Sequence, residues 1–374
     1  MQFIQQFFSG AVYTIPAMLF LITVVVFFHE LGHFSVARLF GVRVETFSIG
    51  FGRAIAKWTD KKGTLWKIGW IPLGGYVKFY GDADGASTPD RQGIARMSAA
   101  DRAVSFPFKP LWQRALIVFA GPATNLVLAV LILTGLFMFV GVASQAPSYI
   151  GSVQPHSAAD TAGIRAGDRI VAIDGVRVDD YRKLSEIVSL SAGQRLPIVL
   201  DRGGKSLTVY ATPRETVTED GFGGKLKIGR LGITSDKYKG SFARLGPIDA
   251  FGAALDEIHD TIATTWRALT HSSNGLQQIS GPIGTTVIAG KVAALSLVLL
   301  VHLAALLSVS VGLVNLFPIP LLDGGHLLYY AFEGVLGRPL GERAQDVGFR
   351  LGLAVVLGIF ILATWNDLVR LNLF

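Results

Sequence analysis

From Met1 to Phe28 no side chain carries a charge, and the run ends on His29-Glu30-Leu31-Gly32-His33. A stretch this long and apolar satisfies its own backbone in hydrocarbon only as a helix, so the chain starts as a membrane span. On that helix His29 and His33 lie ~40° apart around the axis and about 6 Å along it. Both imidazoles reach one Zn²⁺, with Glu30 beside them to polarise a metal-bound water. In a soluble chain two helical histidines are often plain surface residues. In lipid each needs a polar partner, and ionisable groups at that depth are costly and functional. The expectation is a zinc hydrolase working inside a membrane.

Composition agrees. The chain has 374 residues, of which 51% are hydrophobic and 16% charged, and no cysteine. The missing thiols exclude a disulfide framework, a thiolate metal site and a cysteine nucleophile, and say nothing about compartment. Four segments are long enough to consider as spans: about 12–34, 115–143, the uncharged stretch between Lys291 and Asp323, and 351–365, which Leu368, Val369 and Leu371 extend. The first is not a signal peptide, because the first basic residue, Arg38, follows the span. Residues 35–114 hold 13 Lys/Arg against 6 Asp/Glu, a surplus equal to the net charge of +7. Arg338, Arg343 and Arg350 lie between the last two spans. The positive-inside rule therefore places both connections in the cytoplasm, and the termini and residues 144–290 outside. The basic balance is a topology signal and not a sign of nucleic-acid binding.

Two histidines do not complete a catalytic zinc site. The nearest downstream carboxylates, Glu45 and Asp60, lie in a glycine-rich, basic loop. A better third ligand is Asp323, at the end of Asn315-Leu316-Phe317-Pro318-Ile319-Pro320-Leu321-Leu322-Asp323-Gly324. Two prolines so close cannot continue a helix, and unwound backbone at membrane depth belongs where it is buried or lines a cavity. The competing reading is that Asp323-Gly324 caps the next helix. Asn315 is either a packing residue or an amide donor for the oxyanion of a tetrahedral intermediate. His302 and His326 are read as structural.

These motifs together resemble the site-2 protease family, zinc-dependent intramembrane metalloproteases. Gly121-Pro122-Ala123-Thr124-Asn125 is similar to the family's G-P-x-x-N element. Ile71-Pro72-Leu73-Gly74-Gly75-Tyr76-Val77-Lys78 and Ser280-Gly281-Pro282-Ile283-Gly284 extend the match to the regulator-of-sigma-E protease branch. The resemblance implies that His29, His33 and Asp323 bind zinc, that Glu30 is the catalytic acid/base, and that Asn315 is the active-site asparagine. It also implies substrates that are single-span membrane proteins, such as anti-sigma factors or remnant signal peptides, and a bacterial inner-membrane location.

Residues 47–81 read as strands, with glycine punctuation, a Lys61-Lys62-Gly63 turn, and Trp58, Trp66 and Trp70 as aromatic bulk near the interface. This resembles the family's membrane-associated β-loop, which implies a role in holding substrate extended; Gly69, Trp70, Ile71 and Pro72 are its candidate contacts. A surface hairpin that only anchors is the alternative. Residues 82–106 read as a flexible linker. Gly163 to Gly175 resembles the core of a PDZ domain, with Asp174-Gly175 turning between strands and residues 181–190 forming the helix beside the groove. The strand Ile150-Gly151-Ser152-Val153, after a carboxylate-binding loop before Tyr149, is expected to pair with a peptide C-terminus. Steric exclusion of bulky substrates is the other use of such a unit. One such unit is counted, where members of this branch carry two in tandem.

The expectation is thus a polytopic α-helical membrane protein with about four transmembrane helices, a membrane-associated β-hairpin region and one extramembrane PDZ domain (mainly β, α+β). The divisions are 1–143, an N-terminal membrane core; 144–213, the PDZ domain; 214–290, a linker and interfacial amphipathic segment; and 291–374, a C-terminal membrane core. Two other classes compete: a non-proteolytic PDZ scaffold, opposed by intact Glu30 and Asp323, and an anchored protease acting on soluble chains, opposed by the apolar run into His29.

Overall fold

The computed structural model describes residues 2–83, 90–143, 148–219, 225–235, 242–270 and 280–371. In chain order the elements are α1 (Gln2–Leu39), β1 (Val44–Thr59), β2 (Leu65–Phe79), α2 (Arg91–Ala95), α3 (Ala99–Val104), α4 (Leu111–Phe139), β3 (Val142–Ala143), β4 (Ile150–Val153), α5 (Ala158–Thr161), β5 (Arg169–Ile173) and β6 (Val176–Arg177). There follow α6 (Tyr181–Leu190), β7 (Leu196–Arg202), β8 (Lys205–Ala211), β9 (Arg214–Glu219), β10 (Lys225–Arg230), β11 (Ile233–Ser235), β12 (Phe242–Ala243), α7 (Pro247–Thr270), α8 (Pro282–Leu295), α9 (Leu297–Asn315), α10 (Asp323–Leu336) and α11 (Glu342–Arg370). Four of these helices are long and apolar enough to cross a membrane: α1 over Val12–Leu39, α4, α9 and α11. The chain divides into two compact units, one from Met1–Thr134, Phe251–Ile262 and Thr285–Leu362, the other from Gly135–Ala250, Ala263–Gly284 and Ala363–Phe374.

In the first unit β1 and β2 are long and bent. Residues 44–49 run antiparallel to 75–79, and 54–59 run antiparallel to 65–69. The pairs Thr46 with Leu65 through Ile49 with Ile68 rise together, so the two inner limbs lie parallel. Two strands therefore make a four-limbed sheet, in the order 75–79, 44–49, 65–69, 54–59. Gly50 permits the bend: its φ of +82° is open to glycine, and a Cβ there would stand 2.7 Å from the Ile71 carbonyl oxygen. Trp66 packs within the unit. It stacks on Phe47 at 4.4 Å and meets Phe34 of α1 edge-on, which fixes the sheet to that helix. Asp60 at the hairpin tip pairs with Arg38 at the end of α1. It also accepts from the Trp66 indole at 3.0 Å and from the Lys62 and Thr64 amides.

The segment expected as a flexible linker carries two short helices, capped by the side chains of Asp90 and Ser98, while 84–89 lie outside the described residues. Local side-chain caps let polar sequence form a turn of helix without an apolar stripe.

In the second unit a sheet of order β6-β5-β7-β8 packs on α6 around Ile170, Ile173, Leu184, Ile198 and Leu200. Asp168 is anchored beneath it by two bonds from Arg202, at 2.7 and 2.8 Å, which hold its carboxyl below the usual range. This folded unit does not end at 213. β9 and β10 form a further hairpin, Leu231 joins the same core, and β11 pairs with β4. The remainder of the supposed linker holds α7 and α8, apart from residues 271–279, which lie outside the described residues.

β4 also corrects the peptide-strand reading. β11 occupies one edge, and on the other Ile150 exchanges bonds with Asp168 and Gly167. No free edge remains at Ile150, because the completing strand comes from the far end of the unit. The carboxylate-binding loop expected before Tyr149 falls at 144–147, outside the described residues.

Candidate metal centre

α1 presents His29 and His33 one turn apart, and the 316–322 turn delivers Asp323 as the first residue of α10. The turn is forced by Pro318 and Pro320, and it is strained: Leu321 has a φ of +104°, a conformation that a branched side chain adopts at a cost of about 1–3 kcal/mol. His29 Nε2 lies 3.3 Å from His33 Nε2 and 3.1 Å from Asp323 Oδ2, and His33 Nε2 lies 3.5 Å from the same oxygen. Tetrahedral zinc with bonds of about 2.05 Å holds its ligands about 3.3 Å apart, so the triangle has the size of one face of that tetrahedron. Asp323 Oδ2 is buried and makes no hydrogen bond among the described residues. Two inward nitrogens and an orphaned carboxylate oxygen form a donor set that a divalent cation satisfies. This is the one such cluster of three or more among the described residues.

Each imidazole is backed by α4. His33 Nδ1 donates to the Ile117 carbonyl at 2.8 Å, which leaves Nε2 with its lone pair inward. His29 Nδ1 faces the Asn125 side chain at 3.2 Å. α4 comes this close because of glycine: a Cβ on Gly121 would stand 2.2 Å from His33 Nε2.

A cavity of about 200 Å³ opens on the cluster, lined among others by Glu30, Asn315, Val77, Phe79, Phe106, His326 and Tyr330. Glu30 and Asn315, the two residues expected to act beside the metal, both line this cavity. His326, read as structural, also faces this cavity, whereas His302 pairs with Glu257 at 3.1 Å. Gly69, Trp70, Ile71 and Pro72 do not line it. Trp70 is 72% exposed and Gly69 packs beneath Phe51, while Val77 and Phe79 of the same strand reach the cavity. Asn125 was missed as a site residue, although a polar residue inside the uncharged stretch 115–143 was its visible signal. The Ile117 carbonyl had none.

The second unit has its own groove of about 560 Å³ beside α6, lined by Tyr181, Leu184, Val188, Arg230, Leu231 and Ile233. The Tyr181 hydroxyl donates across it to the Ile233 carbonyl at 3.0 Å. Of Ile150, Gly151, Ser152 and Val153, none lines this groove.

A glutamate and an amide beside three convergent metal donors, on a helix of membrane-spanning length, define a metal-dependent hydrolase of the membrane type. Residues 17–359 match the profile of peptidase family M50, and the chain belongs to that family, the zinc-dependent site-2 metalloproteases. A protein of Agrobacterium fabrum, named provisionally as a zinc metalloprotease, is 42% identical over 361 residues, covering 95% of each chain. The metalloprotease MmpA of Caulobacter vibrioides is 39% identical over 390 residues, covering 98% of each. Among solved structures, a PDZ domain of an SdrC-like protein from Listeria monocytogenes is 22% identical, covers 25% of this chain and 92% of its own, and has a TM-score of 0.20.

Proposed function

We propose that this metalloprotease cleaves peptide bonds of single-span membrane proteins within or at the edge of the bilayer, as in the regulator-of-sigma-E branch. The observation that carries the reading is the convergence of His29, His33 and Asp323 on a helix whose preceding residues are uncharged. Zinc held by these three supplies Lewis acidity toward water and toward the scissile carbonyl. Glu30 takes the proton from the attacking water and hands it to the departing amide nitrogen. Asn315 donates its side-chain amide to the carbonyl oxygen as negative charge builds there. Val77, Phe79, Phe106 and Val118 wall the cavity with apolar surface and keep bulk water from the reacting bond.

A helical substrate hides its scissile carbonyl, so the substrate is seated extended, alongside the 75–79 limb that lines the cavity. The protein lies in a bacterial inner membrane through its four apolar helices, with the basic 35–114 region cytoplasmic and both termini and the second unit outside. That second unit is PDZ-like. Its groove lies between α6 and the segment around β11, and it takes a peptide terminus or excludes bulky ectodomains.

The test uses purified protein in liposomes with a model single-span substrate, wild type beside Glu30→Gln. One zinc in both, with cleavage lost by at least about 10²-fold in the variant, is the expected result. Cleavage that survives Glu30→Gln sinks the mechanism.

A further inference from the structure

Building on the proposed zinc centre, we infer that Asn125 is a positioning residue that fixes the ring of His29: its side-chain oxygen accepts from Nδ1–H, so that the Nε2 lone pair faces the metal. Asn125 is fully buried, 0% exposed, in a helix that carries no charged residue from 115 onward. Such a residue is expensive unless its amide has a task. The amide lies 3.2 Å from His29 Nδ1 through its nitrogen, and its oxygen is buried without a partner among the described residues. A neutral imidazole that ligates through Nε2 carries its proton on Nδ1. With the amide nitrogen toward it, two donors would meet and the oxygen would stay orphaned. Turning the amide end for end changes almost nothing in shape, removes the donor–donor contact and gives the oxygen its hydrogen bond.

The rest of the neighbourhood holds Asn125 in place. Its main-chain carbonyl accepts from the Ser308 hydroxyl of α9 at 2.9 Å. Gly312, one turn further along α9, packs against its Cβ. The parallel with His33 is close: there the Nδ1–H acceptor is the Ile117 carbonyl, eight residues earlier on the same helix. α4 therefore sets both ring tautomers, one through main chain and one through Asn125, with Pro122 between them.

The experiment measures zinc affinity by competition with a chelator for wild type, Asn125→Asp and Asn125→Leu in detergent. Asp keeps an acceptor in the same place and Leu keeps only the volume. Zinc as tight as wild type in Asn125→Asp and 10–100-fold weaker in Asn125→Leu is the result expected for loss of a ligand-orienting partner. Equal weakening in both, or none in Asn125→Leu, overturns the inference. If the Leu variant does not fold, ¹⁵N-histidine NMR of the zinc-loaded wild type decides. A protonated Nδ1 and metal-shifted Nε2 on His29 support the assignment; an unprotonated or metal-bound Nδ1 overturns it. Wild type that takes up no zinc, or His29→Ala that keeps it, sinks the zinc centre and the inference together. Zinc lost in His29→Ala but indifferent to Asn125 sinks the inference alone.

Discussion

Gly121→Ala adds one methyl group, and that methyl would stand 2.2 Å from His33 Nε2, 2.5 Å from Cε1 and 2.9 Å from Cδ2 of the same ring. Non-bonded heavy atoms settle at about 3.5 Å, so the ring or the helix must give way by about 1.3 Å. The ring has little room to do so, since its Nδ1 is tied to the Ile117 carbonyl one turn back on α4. Metal sites tolerate about 0.2 Å in ligand distance, and catalytic groups about 0.5 Å. A shift of this size should weaken zinc by at least 10-fold and slow turnover by about 10². The assay is zinc content after dialysis against a chelator, with cleavage of a single-span substrate measured on the same sample. Gly135→Ala is the control on the same helix: its methyl meets nothing within 4 Å, and a helical alanine is intrinsically favoured over glycine. Gly121→Ala protein that binds zinc and cleaves like Gly135→Ala would refute this close approach of α4 to His33.

Asp60 is held at a pKa of about 2, below its ordinary 3.8: partial burial works against this, but the Trp66 indole, the Thr64 and Lys62 amides and Arg38 outweigh it. Because the folded pKa is depressed, the stability that wild type has over Asp60→Ala should be constant above about pH 4 and fade toward pH 2, read from thermal midpoints in detergent. In the second unit the buried Asp367 carboxylate accepts from the Gly281 and Gly284 amides at 2.9 and 2.8 Å. Asp367→Ala should cost about 2–4 kcal/mol of that unit's stability, measured by denaturant-dependent proteolysis, and no change would remove this reading of the Ser280-to-Gly284 motif.

What was legible in the chain is what a single element encodes. The spacing of His29 and His33 fixes their shared face whatever the rest of the fold does. Pro318 and Pro320 announce an unwound segment, and that segment brings Asp323 to the histidines. What was illegible depends on pairs far apart in sequence. The three-residue strand β11 meets β4 across eighty residues, as Ile233 opposite Val153, and nothing in so short a run says so. The same holds for Val77 and Phe79, which lie a few residues beyond the segment first expected to meet substrate: the bend at Gly50 sets which limb faces the cavity.

The support that α4 gives the two histidines follows from the way helices associate in lipid, where apolar surface alone gives no drive and small residues let backbones approach. Gly32 of α1 is pressed on α4, where a Cβ would stand 2.3 Å from the Ala120 carbonyl oxygen. Gly121 of α4 is pressed on His33, and Gly312 of α9 on the Pro122 carbonyl at 3.1 Å. These contacts seat α4 against both α1 and α9, and each falls within a turn or two of a histidine, of Asn125 or of the bend that carries Asp323. The packing that holds the bundle together is therefore the packing that aims the ligands. A substitution that spreads these helices should lose zinc before it loses the fold.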